Sequence, residues 1–285
     1  MPAAIRFMGV NLIDRDSTVL TATSNVLPVS NVKHPHLKKV WRTSTRTNER
    51  INVDLVDTSA TVKSFAIAGI NLTRDGTIEL LHSTDNSAFT SLGIINVDPS
   101  TKTGYGNAGY GDAGYGGFAL TNDAGPALNK ALFLFFSGLT SRYWRILLND
   151  SANPDNFLSV GRVFLGDYLE PSAQIARGWK AELIDETVMD KSIGGQKWRN
   201  TRPVFMQMTF RLPHLNENQG IRDLFNTFFR RFGKQTDLFV VLFPDGSQQL
   251  QSATAYYGSF ESGLGVSNPA IGVYSTDDLV FQESL

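Results

Sequence analysis

Residues Arg50–Val56 read R-I-N-V-D-L-V, and the next apolar stretch, Val62–Ile70, reads V-K-S-F-A-I-A-G-I. In the first stretch Ile51, Val53 and Leu55 alternate with polar residues, the pattern of a strand that is buried on one face. Three further runs have the length of buried strands: Ala131–Phe136, Tyr143–Leu148 and Gly161–Leu165. No helical pattern separates these runs, so we predict an antiparallel β-sandwich for the first part of the chain.

One segment of the second part, Glu217–Phe232, has the pattern of an amphipathic helix. Its apolar residues fall on one stripe at a spacing of 3.6 residues: Ile221, Leu224, Phe225, Phe228, Phe229 and Phe232. Asn216 is placed to cap the start and Gly233 to end the helix. Strand-like segments surround it: Lys180–Val188, Val204–Leu212, Leu238–Phe243, Ala255–Phe260 and Asp278–Gln282. We expect the phenylalanine stripe to pack on a β-barrel, with these side chains facing outward: Arg222, Asp223, Arg230 and Arg231.

Length and composition limit the classes of protein that need to be considered. A chain of 285 residues favours two domains, and 41% hydrophobic residues are enough for packed cores. A formal net charge of -1 provides no basic field for nucleic-acid binding, and the absence of cysteine excludes disulfides and thiolate metal sites. The N-terminal residues lack the pattern of a signal peptide, and no apolar run approaches the ~20 residues of a membrane helix. The sequence therefore predicts a soluble protein made in the cytoplasm, without membrane insertion.

No motif of a known catalytic site is present in the sequence. His34-Pro35-His36 is either a pair of surface histidines or part of a metal site, and no third ligand lies nearby in the sequence. The paired acids Asp14/Asp16 and Asp277/Asp278 are in turn-like contexts, which favours solvated turn residues over general acid–base catalysis. We therefore expect a non-enzymatic protein with no catalytic residue, no cofactor and no metal.

Aromatic residues provide the candidate ligand contacts. Gly104–Phe118 is a glycine-rich loop in which Tyr105, Tyr110 and Tyr115 recur every five residues. These tyrosines either lie on the sandwich or provide a contact surface for a partner. Trp41 and Trp144, each followed by arginine, either fill the core of the sandwich or stack on a sugar.

The N-terminal pattern resembles the discoidin-like (coagulation factor 5/8 type C) jelly roll. The residues that carry the resemblance are Asn25–Val32 (N-V-L-P-V-S-N-V), Val40–Thr43 (V-W-R-T) and Ile51–Leu55 (I-N-V-D-L). Val56 departs from the pattern, because the family usually has glycine after the Asp-Leu pair. The resemblance implies a galactose-binding-like β-sandwich jelly roll over residues 1–166. Such domains often bind glycans or lipids through loops at one end, while others mediate protein contacts.

Over most of its length the chain, a jelly roll with a Tyr-Gly-repeat loop followed by the second part, is similar to virion proteins of tailed bacteriophages. The resemblance rests on G-R-V-F-L-G-D-Y-L-E-P at 161–171, the turn at Gly194-Gly195, the L-F-N-T-F-F segment at 224–229 and the closing F-Q-E-S-L. This resemblance implies a split β-barrel of the tail-tube and distal-tail type over residues 167–285, with a flanking α-helix at 217–232. Copies of such domains form rings.

Together the two resemblances imply a structural subunit of a phage tail, of the distal-tail or baseplate type. Its expected location is the virion. The resemblance implies as partners its own copies in a hexameric ring and the tube, hub and fibre proteins. The alternative is a glycan-binding module for adsorption to the host. Candidate residues for pairing between copies lie in two segments: Gly194, Gly195, Val204, Met206, Met208 and Phe210.

Overall fold

The part of the chain that the structure describes contains nineteen strands, one long helix and two short 3-10 helices, Leu12–Asp14 and Val29–Lys33. The computed structural model describes residues 5–97 and 131–285, apart from 58, 74, 172, 174, 193, 247–250, 252 and 253. The first ten strands are β1 (Arg6–Met8), β2 (Val19–Ala22), β3 (Trp41–Arg42), β4 (Glu49–Asp54), β5 (Val62–Ile70), β6 (Thr77–Ser83), β7 (Thr90–Asn96), β8 (Leu132–Leu139), β9 (Tyr143–Asn149) and β10 (Ser159–Gly166). The other nine are β11 (Lys180–Asp185), β12 (Val188–Lys191), β13 (Lys197–Asn200), β14 (Val204–Phe210), β15 (Leu238–Val241), β16 (Ala255–Ser262), β17 (Val266–Ala270), β18 (Val273–Thr276) and β19 (Leu279–Glu283).

The predicted β-sandwich is confirmed for β2 to β10. One antiparallel sheet has the order β2-β4-β9-β6-β7, and the other has the order β3-β10-β5-β8. The inward side chains of both sheets form one apolar core, which includes Ile51, Val53 and Ile67. Apolar and polar residues alternate in β4 because one face of the strand lies in the core and the other faces solvent, as the sequence indicates.

A third sheet, outside the sandwich, has six strands in the order β1-β15-β16-β19-β14-β11. The pairing of its first strand differs from the predicted assignment of residues 1–166 to the sandwich domain, because β1 pairs with β15 through Phe7↔Val240. Phe7 also exchanges backbone hydrogen bonds of 3.0 and 2.9 Å with Leu169. The sandwich is thus inserted between the first strand of this sheet and the rest of it. Among the described residues the sheet ends at β1 and β11, so its pairings do not close the expected barrel.

The predicted helix is present as Asn218–Phe229 with wide π-type turns, followed by one α-helical turn, Arg230–Phe232. We call the two segments together α1. The cap prediction is confirmed, since Asn216 Oδ1 accepts a hydrogen bond of 2.9 Å from the backbone N–H of Gln219. Gly233 ends α1 with a φ of 46°, a conformation that favours glycine.

The buried face of α1 differs from the predicted stripe at two residues, Ile221, which is half-buried, and Phe225. Leu224, Phe228, Phe229 and Phe232 are buried on the six-stranded sheet, but Phe225 is 40% exposed. A π-type turn contains more residues than the 3.6 of an α-helix, so residues four apart stay on one face while Phe225 turns away from it. The four charged side chains expected to face outward lie at exposed or half-buried positions: Arg222, Asp223, Arg230 and Arg231.

The sandwich and the six-stranded sheet share an apolar layer. The outer face of the four-stranded sheet carries Ala66, Ala68 and Phe164. These residues pack with Phe239 and Tyr257 of the six-stranded sheet. Small alanine side chains let two sheets approach closely, and they explain why β5 is buried on both faces. The Tyr257 hydroxyl also donates a hydrogen bond of 3.0 Å to the carbonyl of Pro35. From α1 to β7 the described part of the chain thus stacks one helix and three sheets.

Candidate assembly surface

The exposed edge of the six-stranded sheet is strand β11. On one side β11 pairs with β14 from Lys180↔Thr209 to Asp185↔Val204, and on its other side the described part of the chain provides no strand. Leu183 in this strand is 68% exposed, and Trp179 just before it is 40% exposed. An unpaired strand edge is a template for pairing with another chain, particularly when its side chains are apolar.

Beyond Asp185 and Val204 the chain continues as a hairpin formed by β12 and β13. The two strands pair from Val188↔Asn200 to Lys191↔Lys197. The turn is closed by a backbone hydrogen bond of 2.9 Å from Gly195 to Ser192, and the φ of 83° at Gly195 favours glycine there. Every residue of both strands is exposed, including Met189 at 62% and Trp198 at 67%. The hairpin therefore exposes apolar side chains that its own fold does not cover.

The register divides the hairpin side chains between two faces, because neighbours along a strand point in opposite directions. One face carries Val188, Asp190 and Trp198. The other face carries Met189 with three basic residues: Lys191, Lys197 and Arg199. Glu186 at the base is paired with Arg202, at 3.5 Å between their charged groups. We use the term assembly surface for the exposed apolar residues of this region: Trp179, Leu183, Val188, Met189, Trp198 and Val204.

The predicted pairing residues are divided between the assembly surface and the core. Gly194 and Gly195 lie at the exposed hairpin tip, and Val204 is 40% exposed. Met206 is half-buried, whereas Met208 and Phe210 are buried in the core. Strand β14 is also paired on both sides, with β11 and with β19, so it cannot add a strand of another copy. The prediction that Val204–Leu212 pairs between copies is therefore corrected, and β11 is the strand with the free edge.

Sequence reasoning missed Met189, Trp198 and Leu183 as candidates. The signal that could have found the hairpin is the Gly194-Gly195 turn, which has short alternating segments on both sides. The chemical types of the residues alone did not indicate their exposure. Trp198 lies between two basic residues, in a segment where the order of apolar and polar residues shows no strand or helix period.

The proposed sugar-stacking role of the two tryptophans is corrected by their positions. Trp41 and Trp144 are both fully buried in the sandwich. Their indole N–H groups donate to the carbonyls of Ser24 and Ser141, at 2.9 and 2.8 Å. Neither ring therefore presents a face to a ligand, and the core interpretation of both residues holds. Tyr105, Tyr110 and Tyr115 lie outside the described residues.

Polar side chains gather where three loops meet at one end of the sandwich. Arg46 Nη1 donates to Asn156 Oδ1 at 3.1 Å, and Asn71 Nδ2 donates to Asp155 Oδ2 at 3.1 Å. We call Arg46, Asn71, Asp155 and Asn156 the loop-end cluster. The buried Asp150 carboxylate holds the neighbouring loop, since it accepts hydrogen bonds from Thr73 N–H and Oγ1 at 2.6 and 2.8 Å. The cluster presents amide, carboxylate and guanidinium groups at exposed or half-buried positions.

The histidine pair does not extend into a larger site. His36 N–H donates to His34 Nδ1 at 3.2 Å, and the two ring centroids are 5.0 Å apart. Burial lowers the pKa of His34, and the positive charges of Lys39, His36 and Arg162 lower it further. Within the described residues, no three His, Asp or Glu side chains converge in an arrangement that could hold a metal ion. None of the described helices has the length and apolarity that spanning a membrane requires.

No protein-family model matches the chain. No curated protein matches it either. Solved structures to which the chain is similar include the CpGH89CBM32-5 domain of Clostridium perfringens in complex with GalNAc-β-1,3-galactose. That domain is 14% identical with a TM-score of 0.37, and the match covers 56% of this chain and 99% of that one. The family 32 CBM of Clostridium perfringens NanJ, in complex with galactose, is 15% identical with a TM-score of 0.37, covering 57% and 99%. A GH29 fucosidase of Ruminococcus gnavus in complex with fucose is 11% identical with a TM-score of 0.39, covering 56% and 27%.

Proposed function

We propose that this chain is a non-enzymatic structural subunit of a bacteriophage tail, of the distal-tail or baseplate type, which assembles with copies of itself through the six-stranded sheet. The observation that carries the proposal is the assembly surface. Of the fourteen large apolar side chains described as exposed, six lie between Trp179 and Val204. The position in a phage tail comes from the sequence resemblance of the second part of the chain, and the self-association comes from this surface.

The physical reason is the cost of leaving such a surface in water. Clustered apolar residues on a soluble protein mark contact sites, because burying apolar area releases about 25 cal/mol per Å². Leu183 and Trp198 are exposed by more than half, and the free edge of β11 adds unpaired backbone donors and acceptors. A second copy of the chain would cover both features at once.

Mass photometry and light scattering on the purified full-length chain test the self-association. We expect oligomers at micromolar concentration, and we expect Leu183→Lys combined with Trp198→Ala to shift the population to monomers. Ile94→Lys is the matched control, since Ile94 is 58% exposed on β7, outside the assembly surface. A wild-type chain that stays monomeric up to about 100 µM, well above the range of specific contacts, refutes self-association.

Immunogold electron microscopy of phage particles tests the position in the virion. We expect label at the end of the tail that carries the baseplate. Particles that lack the protein, or label confined to the capsid, contradict the tail assignment.

Glycan binding by the sandwich is the second candidate function, and the loop-end cluster is the observation that favours it. Planar amide, carboxylate and guanidinium groups at a loop end suit the hydroxyl groups of sugars. A glycan array with the full-length chain tests this function. Binding should be lost in Arg46→Ala and kept in Arg50→Ala, because Arg50 lies on β4 outside the cluster. An empty array for the wild-type chain eliminates this candidate.

A further inference from the structure

Strand β11 directs half of its backbone groups toward its free edge. The Met206 N–H of β14 donates to Oε2 of Glu283 at 3.0 Å, so the backbone groups of Met206 point to β19 and away from β11. Leu183 is the partner of Met206 in the β11–β14 register. Opposite residues of an antiparallel pair point their backbone groups either toward each other or both outward. The N–H and C=O groups of Leu183, and those of Ala181 and Asp185, therefore point to the free edge.

The side chain of Leu183 lies at the end of an apolar strip that begins in the core. Leu183 is opposite Met206, and the next pair on the same face is Asp185 opposite Val204. Met208, further along this face, is buried with the phenylalanines of α1. Met206 is half-buried, whereas Val204 and Leu183 are exposed. The apolar face of the sheet thus continues past its covered part and reaches water at β11.

Antiparallel pairing between two β11 edges is limited to a few registers. Only residues that face the edge form hydrogen-bonded pairs, so opposite residues differ by an even number of positions. Two registers keep five residues of each strand in the pair, one centred on Glu182 and one on Leu183. The first sets Glu182 opposite Glu182 of the other copy, and like charges directly opposite destabilise a strand pair. The second sets Leu183 opposite Leu183, and Lys180 opposite Glu186 at both ends of the pair.

We propose that two copies of the chain join through their β11 edges in an antiparallel pairing centred on Leu183, an inference that rests on the proposed self-assembly. The pairing forms about six backbone hydrogen bonds and turns two six-stranded sheets into one sheet of twelve strands. It also brings Trp179 of each copy to Thr187, at the base of the hairpin of the other copy. Such a two-fold contact closes at two copies, so a ring requires a second contact through another surface.

The charged groups around the β11 edge balance within each copy. Those of residues 177–186, with the partner of Glu186, are three cations and three anions: Arg177, Lys180, Arg202, Glu182, Asp185 and Glu186. Pairing two copies therefore brings no net charge together. Within one copy Lys180 contacts Glu182, and Glu186 contacts Arg202. These ion pairs are partly or largely exposed, so the contact of Lys180 with Glu186 of the other copy contributes modestly to affinity and mainly selects the register.

Cysteine cross-linking tests the register directly, because the chain contains no cysteine of its own. In the proposed pairing Ala181 of one copy lies opposite Asp185 of the other, with about 5.5 Å between their Cα atoms, within the span of a disulfide. We expect a 1:1 mixture of full-length Ala181→Cys and Asp185→Cys chains to form covalent dimers when oxidised glutathione is added. Each variant alone places its two cysteines about 13 Å apart. Alone, each should cross-link no more than the control Ile94→Cys, whose exposed site is on β7.

A charge exchange tests the same register without cysteine. Lys180→Glu and Glu186→Lys each set like charges opposite one another at both ends of the pair, so we expect either change to weaken self-association about tenfold. The double variant K180E/E186K should recover most of that loss, although the contacts with Glu182 and Arg202 within each copy stay broken. Lys38→Glu, an exposed change on the sandwich, is the control and should leave the association unchanged. Thermal melts check that all four variants keep the fold.

Failure of this inference can be told apart from failure of the proposed function. If the wild-type chain forms oligomers while the cysteine mixture cross-links no more than Ile94→Cys, the copies meet elsewhere, and the inference is overturned while self-association stands. Covalent dimers of Glu182→Cys alone, or of Ala181→Cys alone, show a different register and overturn it as well. A double charge variant as weak as the single variants contradicts the pairing of Lys180 with Glu186. A wild-type chain that stays monomeric up to about 100 µM refutes the proposed self-association itself.

Discussion

Replacing Phe7 by alanine should destabilise the six-stranded sheet, although Phe7 precedes the sandwich in the sequence. Phe7 is fully buried, and its ring centroid lies 6.3, 5.2 and 6.1 Å from those of Phe210, Phe228 and Phe260. Truncating a buried phenylalanine to alanine costs about 3–5 kcal/mol, because it removes buried area and leaves a cavity. The aromatic contacts on three sides place this site toward the upper end of that range. The equilibrium constant for unfolding of the six-stranded sheet should rise by about two to four powers of ten.

Hydrogen exchange measured by mass spectrometry locates the damage, and urea denaturation measures its size. We expect loss of protection in peptides covering β14 to β19 and α1, while peptides of β4 and β9 in the sandwich stay protected. Phe225→Ala is the matched control, since this phenylalanine on α1 is 40% exposed and should cost less than about 1 kcal/mol. The reasoning is refuted if Phe7→Ala costs less than about 1 kcal/mol, or if the lost protection lies in the sandwich alone.

Three further predictions concern single positions. Gly258→Ala should disrupt the β16–β19 pairing at a cost of about 3 kcal/mol, because its Cβ would lie within bonding distance, 1.9 Å, of the Gln282 carbonyl oxygen; an unchanged urea midpoint contradicts this. Val56→Gly should stabilise the chain by about 1 kcal/mol, because Val56 has a φ of 59° that strains a β-branched residue; a lower melting temperature argues against it. Burial raises the pKa of Asp237 above its unfolded value of about 3.9, so the stability cost of its carboxylate begins as the pH rises through about 4 and is fully present above the folded pKa. Asp237→Asn should therefore raise the melting temperature at pH 7 and leave it unchanged below about pH 4, and the same gain at both pH values is the contrary result.

Local patterns in the sequence predict single elements well. The observed β5 has the same bounds as the predicted run Val62–Ile70, and β4 differs from Arg50–Val56 only at its ends. Both results follow from periodicity, which depends on neighbours two to four residues away. The end of α1 at Gly233 and its cap at Asn216 are equally local.

Pairing between distant segments is not contained in such patterns. Arg6–Met8 is too short to show a period, and its partner Leu238–Val241 lies more than 200 residues away. Alternation in Val204–Phe210 gives the faces of that strand, but it does not tell whether one edge or both edges are paired. For this reason the sequence predicts a strand correctly at this position and assigns its role in assembly wrongly.

Whether a large aromatic residue is buried also depends on contacts between distant segments. Trp41 and Trp198 are each next to arginine in short polar contexts, yet the first is fully buried and the second is 67% exposed. What separates them is the covering layer. Strand β3 pairs with β10 inside the sandwich, whereas β13 pairs with β12 in a hairpin beyond the sheet. The candidate surface therefore depends on tertiary contacts that a single sequence does not display.

The insertion of the sandwich between β1 and the remainder of the six-stranded sheet separates two roles within the chain. The two connections meet at Phe7 and Leu169, whose backbones exchange two hydrogen bonds, so the insert enters and leaves the sheet at one place. The assembly surface lies within residues 179–204, a continuous segment of the chain. Changes in the loops of the sandwich, including the loop-end cluster, therefore leave the surface proposed for assembly in place. The shared layer around Phe164, Phe239 and Tyr257 limits this independence, because a substitution there acts on both parts at once.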